Sequence, residues 1–172
     1  MEKIPFQTVQ NSIDLICGIA EEEALEQASQ HLFDAQPDLS GFFMEFIEDM
    51  SEGAQDLGFM MALILNKAFE EHYPNMRALT EDEVVAKFEA SEADFTRYLE
   101  INDDLIVEIQ EEAKKNGQPE VINYIIEELF MSPDLEPTLE ADEQTHLFII
   151  CKFFVDSLHI AASENVAEAM KH

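Results

Sequence analysis

The sequence predicts an all-α fold, a bundle of about seven to nine helices formed from one domain of ordinary size. Three observations predict it. Gly and Pro are scarce, 5 and 6 in 172 residues, too few to punctuate a fold of many short strands. The prolines and capping residues stand where helices begin and end. Apolar residues make up 47% of the chain, with 13 Phe and 8 Met, enough for a packed interior despite the charge.

In chain order, Pro5 can open a first helix to about Gly18. A second is expected from Glu21 to Ala35, its three leading glutamates suited to the positive helix N-terminus. Pro37 starts a third, to about Met50. A long apolar helix follows from about Gln55 to His72, and Pro74 stops it. Thr80 and Glu83 form a capping box for a short helix to about Ala90. Ser91 can cap the next, which continues or bends toward Lys114 and Lys115, cations suited to its negative end, before Gly117. Pro119 opens a helix to about Met131. Pro133 and Pro137 bracket an acidic connection, and a last helix runs from about Ala141 toward Ala169.

A weak repeat runs through this order. Gln36-Pro37-Asp38-Leu39 resembles Gln118-Pro119-Glu120-Val121 at an offset of 82. Phe42, Phe43, Met44 and Glu45 then match Tyr124, Ile125, Ile126 and Glu127. Upstream, Ile13, Cys17 and Ile19 match Phe95, Leu99 and Ile101. The following helices align at an offset of 89: Phe59, Met60, Met61 with Phe148, Ile149, Ile150, and Ile64, Leu65, Phe69 with Phe153, Phe154, Leu158. The extra residues fall in the Pro133 connection, where insertions are tolerated. The candidate repeats are 6–73 and 84–160, two pseudo-symmetric helical units sharing one core.

Leu57–Leu65 and Leu147–Val155 are apolar nearly all round their helices, as buried helices are. Phe59, Leu63, Phe148 and Phe153 are therefore expected inside. One polar stripe remains on each helix: Asn66, Lys67 and Glu70 on the first, Lys152, Asp156 and His159 on the second.

Acids outnumber bases 38 to 9, giving a net charge of −29. Eighteen acids and three bases lie through Ala86, and twenty and six beyond, so the excess is even and not an acidic tail. Such a field repels nucleic acid and anionic membranes and attracts basic surfaces. Cys17 and Cys151 lie in apolar runs, and buried free thiols are expected. The opening Met1-Glu2-Lys3-Ile4-Pro5 lacks the basic-then-apolar plan of a secretory signal. The longest unbroken apolar run, Phe59–Leu65, is far shorter than a bilayer span. The expectation is a cytoplasmic protein.

No motif carries chemistry. Glu143-x-x-His146 and Asp156-x-x-His159 have the spacing of helical di-metal ligands. Both pairs lie on one helix, however, and His146 and His159 are turned about 220° apart around it. Glu45 and Glu127 fall opposite the apolar faces and are expected to be solvated. His31, His72 and His172 suggest no site. The acidic connection Asp134, Glu136, Glu140, Asp142 and Glu143 lacks the spacing and central Gly of a calcium loop. There is no nucleophile elbow, phosphate loop or dinucleotide fingerprint. No cofactor is expected. The expected function is a non-enzymatic acidic helical protein that binds a protein partner, a basic one if the charge is used. The alternatives are a mimic of nucleic-acid charge that binds a basic protein, and a metal-dependent helical-bundle enzyme using Glu143, His146, Asp156 and His159.

Overall fold

The computed structural model describes residues 2–100, 102–115, 117–132 and 139–169. It is 81% helical, with eight α-helices and no strand among the described residues. They are α1 (Phe6–Cys17), α2 (Glu22–Ala35), α3 (Pro37–Ile47), α4 (Glu52–His72), α5 (Glu81–Tyr98), α6 (Asp103–Lys115), α7 (Pro119–Ile126) and α8 (Ala141–Ala169). A π-helical turn, Glu127–Met131, ends α7. The acidic residues Asp134 and Glu136, the Pro133 connection, Ile101 and His172 lie outside the described residues.

Local chemistry places the ends. Pro37 and Pro119 sit in the first turns of α3 and α7, where a missing N–H costs nothing. The Thr80–Glu83 capping box is formed in both directions, 3.3 and 3.1 Å. Arg77 also grips Glu83, and that hydrogen bond, with those of Thr80, holds the Glu83 carboxyl down at about 2. Two boundaries differ from expectation. Ser91 caps nothing: its hydroxyl bonds back to the Lys87 carbonyl, 2.8 Å, and α5 runs through it to Tyr98. The next start is marked instead by Asn102, whose Oδ1 accepts from Leu105 N, 3.0 Å. α4 begins three residues early, at Glu52, because Ser51 accepts from Ala54 N, 3.2 Å.

The two most apolar helices, α4 and α8, pack against each other at the centre. Around them the packing comes in matched pairs. α1 packs on α4 as α5 does on α8, α2 on α3 as α6 on α7, and α1 on α7 as α5 on α3. Burial follows the same register. Leu39, Ser40, Phe43 and Ile47 are buried, and so are Val121, Ile122, Ile125 and Leu129, 82 residues on. Met61, Ala62, Ile64, Leu65 and Phe69 are buried, and so are Ile150, Cys151, Phe153, Phe154 and Leu158, 89 residues on.

Two glutamines fasten these halves to each other. Gln36 and Gln118 precede the prolines and share one backbone conformation, φ/ψ −137/68 and −136/67. Both are buried, 1% and 0% exposed. Gln36 Oε1 accepts from Leu79 N, 3.0 Å, and its Nε2 donates to Arg77 O, 2.9 Å. Gln118 Oε1 accepts from Ile4 N, 2.8 Å. Its Nε2 donates to the Tyr73 hydroxyl, 3.0 Å, which in turn donates to Glu2 O. Each glutamine thus serves an N–H and a C=O two residues apart, just ahead of the first helix of the opposite half, Gln36 directly and Gln118 reaching the C=O through the Tyr73 hydroxyl.

An aromatic cluster joins α3, α5 and α8. Phe153 lies 5.3 Å from Phe42, 5.5 Å from Phe88 and 6.4 Å from Phe95, centroid to centroid. Leu63, Phe148 and Phe153 are buried as expected. Phe59 is only half-buried. It lies about 100° from the α4 stripe Ala54, Gly58, Met61, Leu65 and Phe69 that faces the core, on a flank its neighbours only partly cover. Cys151 is buried, but Cys17 is exposed because Ile16 takes the inward position at the end of α1. The stretch Ala141–Ser163 of α8 has the length and composition of a membrane span, and 67% of it is buried inside the bundle, as in a core helix.

Candidate functional site

The four residues with di-metal spacing are not brought together. Glu143 Oε2 accepts from Ser51 N, 2.9 Å, at the start of α4, and this bond lowers the pKa of its carboxyl. His146 Nδ1 is 2.6 Å from Asp142 O. Asp156 pairs with Lys152, 2.7 Å. His159 Nδ1 is 3.3 Å from Gln118 Nε2. No group of three His, Cys, Asp or Glu that could hold a metal occurs among the described residues. Glu45 and Glu127 are exposed.

His159 serves the glutamine clamp. Its ring lies against Gly117, where any Cβ would come within 2.4 Å of the ring, so the close approach requires glycine. To accept from Gln118 Nε2, Nδ1 must be unprotonated. Burial lowers the His159 pKa; Asp156 opposes the shift, while the chain N-terminus and Lys87 add to it. The unfolded chain therefore takes up this proton first. The contribution to stability is complete above about pH 6.5 and is lost as pH falls below it. Unfolding free energy should drop between about pH 7 and 5, and His159→Gln, which takes no proton, should show a shallower drop. Equal slopes in the two proteins would remove His159 as the cause.

Two concavities form a matched pair, one lined by α1, α2 and α4, the other mainly by α5, α6 and α8. The second crevice, about 310 Å³, is lined by Arg97 and Tyr98 of α5, Ile109, Glu112 and Ala113 of α6, and Lys152 of α8, among others. Arg97 closes its mouth with a bidentate bridge to Glu112, 2.8 and 2.9 Å, and stacks 4.9 Å over the Tyr98 ring. That bridge lowers the Glu112 pKa. Beneath it, Lys152 is largely buried. Burial alone would lower its pKa, but Asp156 outweighs burial and raises it. Two cationic side chains with aliphatic stems thus line this space.

The first crevice, about 250 Å³, is lined at the corresponding positions by Leu15, Ile16, Ala28, His31, Leu32 and Leu63. Leu15 stands where Arg97 does at an offset of 82, His31 where Glu112 does at 81, and Leu63 where Lys152 does at 89. No bridge spans its mouth. Leu15 is 54% exposed. His31 turns to Glu70 on α4, 2.8 Å, which also accepts from Asn66 Nδ2, 2.9 Å. Asn66 is 3% exposed, and its Oδ1 has no partner among the described residues, a cost of about 1–3 kcal/mol.

No family model, curated protein or solved structure matches this chain. The helix wheel had marked Asn66, Lys67, Glu70 and Lys152, Asp156, His159 as polar stripes of the central helices. It had no means of finding Leu15, His31, Arg97 or Glu112, which lie on other helices and reach these stripes only through the packing.

Proposed function

We propose that this protein is a non-enzymatic acidic module that binds a basic protein partner. The observation that carries the reading is the fate of the positive charges. Lys67, Arg77, Arg97, Lys114 and Lys152 are each in an ion pair with a carboxylate of the same chain. With 38 acids against 9 bases, most carboxylates have no cation to match them. A surface with so large a carboxylate excess raises the local concentration of basic proteins and speeds their association. The dispersal of the metal-spaced residues to separate partners favours binding over chemistry. A cytoplasmic setting accords with this proposal.

The matched packing, matched burial and reciprocal glutamine clamps support a second element of the reading: two copies of a four-helix unit, interlocked into one core. Residues around Ile4–Tyr73 and Leu79–Ala162 would be the copies. Seven extra residues fall between Leu79 and Phe95, the counterparts of Ile4 and Ile13, and lengthen α5 to 18 residues against the 12 of α1. Seven residues are close to two helical turns, so the buried face is kept.

Affinity capture from native lysate, at about 0.05 M and 0.5 M salt, tests the binding function. The expected result is one or a few basic proteins held at low salt and released at high salt. Competition by DNA for the same partner would single out the nucleic-acid mimic. Bound metal with no captured protein would overturn the reading in favour of an enzyme.

A further inference from the structure

The twin crevices differ in what lines them. In the second, Arg97 and Lys152 supply aliphatic stems to the interior and charged heads to Glu112 and Asp156. In the first, the same positions are Leu15 and Leu63, and the lining is mostly apolar, with Glu70 at its edge. Two further depressions adjoin it, one sharing Leu15 and Lys67 with it as lining, the other His31, Lys67 and Glu70. Together they follow α4 from Leu63 to Tyr73, about 15 Å at the helical rise. The half that carries them has only three bases, Lys3, Lys67 and Arg77, against eighteen acids. Lys67 is held by Glu71, 2.9 Å, and Arg77 by Glu83.

We infer that the first crevice is the docking point for a basic segment of the partner, whose Arg or Lys side chain lays its stem on Leu15, Ile16 and Leu63 and brings its head to Glu70. This rests on the basic-partner reading above. Such side chains bury their stems on apolar surface while keeping the charge at a polar edge. In the protein's second half the corresponding positions carry such side chains, Arg97 and Lys152, with their heads on Glu112 and Asp156. Glu70 already accepts from His31 and Asn66, but a carboxylate has about four acceptor sites. The rest of the segment would follow the groove along α4, in a field that favours cations.

A charge-neutral variant tests this. Leu15→Arg together with His31→Glu installs the Arg97–Glu112 pair of the other crevice and leaves the net charge unchanged. Both positions are exposed, so the core is untouched. A short labelled amphipathic peptide of leucine and arginine serves as probe, read by fluorescence anisotropy at low salt. The double variant should lose more than about tenfold in affinity. Glu70→Gln should lose several-fold, and Glu45→Gln, with the same charge change on exposed α3 surface, should lose little. The Glu70 and Glu45 comparison stands even if the double variant fails to fold. Unchanged affinity in the double variant, or equal loss from Glu70→Gln and Glu45→Gln, would overturn the docking point. So would equal binding of a leucine–glutamine peptide of the same pattern. Failure of the natural protein to bind any basic peptide at low salt would instead bring down the basic-partner reading itself.

Discussion

Phe153→Ala should lower the unfolding free energy by about 3–5 kcal/mol, the range for an aromatic side chain removed from a packed core. Phe153 is 1% exposed on α8 and touches rings from α3 and α5. The loss has two parts: the transfer of the ring and the cavity left where Phe42, Phe88 and Phe95 cannot close in. Edge-to-face contact adds to it, since Phe153 and Phe88 are inclined at 86°. In a domain of this size the melting temperature should fall by roughly 10 °C or more. Urea unfolding with unchanged slope and a lower midpoint would show the loss directly. A loss under about 1 kcal/mol would mean that the cluster is not where α3, α5 and α8 are joined.

Gln118→Leu should cost roughly 2–4 kcal/mol although it makes the core more apolar. The substitution orphans Ile4 N–H, at about 1–3 kcal/mol, and removes the donor to the Tyr73 hydroxyl and to His159 Nδ1. Gln36→Leu should cost a similar amount, because Leu79 N–H and Arg77 C=O lose the same two bonds. The two differ in what comes loose. Amide exchange should rise around Ile4 and α1 in the first variant, and around Leu79 and α5 in the second. If both variants instead showed the same diffuse rise in exchange, the glutamines would be ordinary buried polar residues and not clamps between halves.

Both predictions turn on residues the sequence made visible in different degrees. Phe153 was legible as a core residue because an almost wholly apolar helix has nowhere else to go. Phe59 was misjudged on the same argument, since the pattern tells how apolar a helix is but not which flank its neighbours cover. The Gln-Pro pairs were visible as a repeated string, but their work was not. Gln36 reaches partners 41 and 43 residues away, and Gln118 one 114 residues away. Ser91 misled because a serine can cap a helix or bond back within one, and only the continuing chain decides between the two.

By itself, the sequence determined what short-range physics controls. It set the helical class, through scarce turn residues, prolines at first turns and a complete capping box. It set the centrality of α4 and α8 through stretches that are apolar nearly all round. It set the charge, which no folding changes. The tertiary structure alone decided which side chains from different helices meet. The crevices exist because α1 and α2 leave a seam beside α4 unsealed, and α5 and α6 leave one beside α8. One seam is bridged because an arginine at position 97 comes opposite a glutamate at 112. The other stays open because Leu15 and His31 cannot make that bond, and His31 bonds to Glu70 instead. Those pairings depend on distances across the bundle, set by packing of the whole chain and not by the neighbours of any one residue in the sequence.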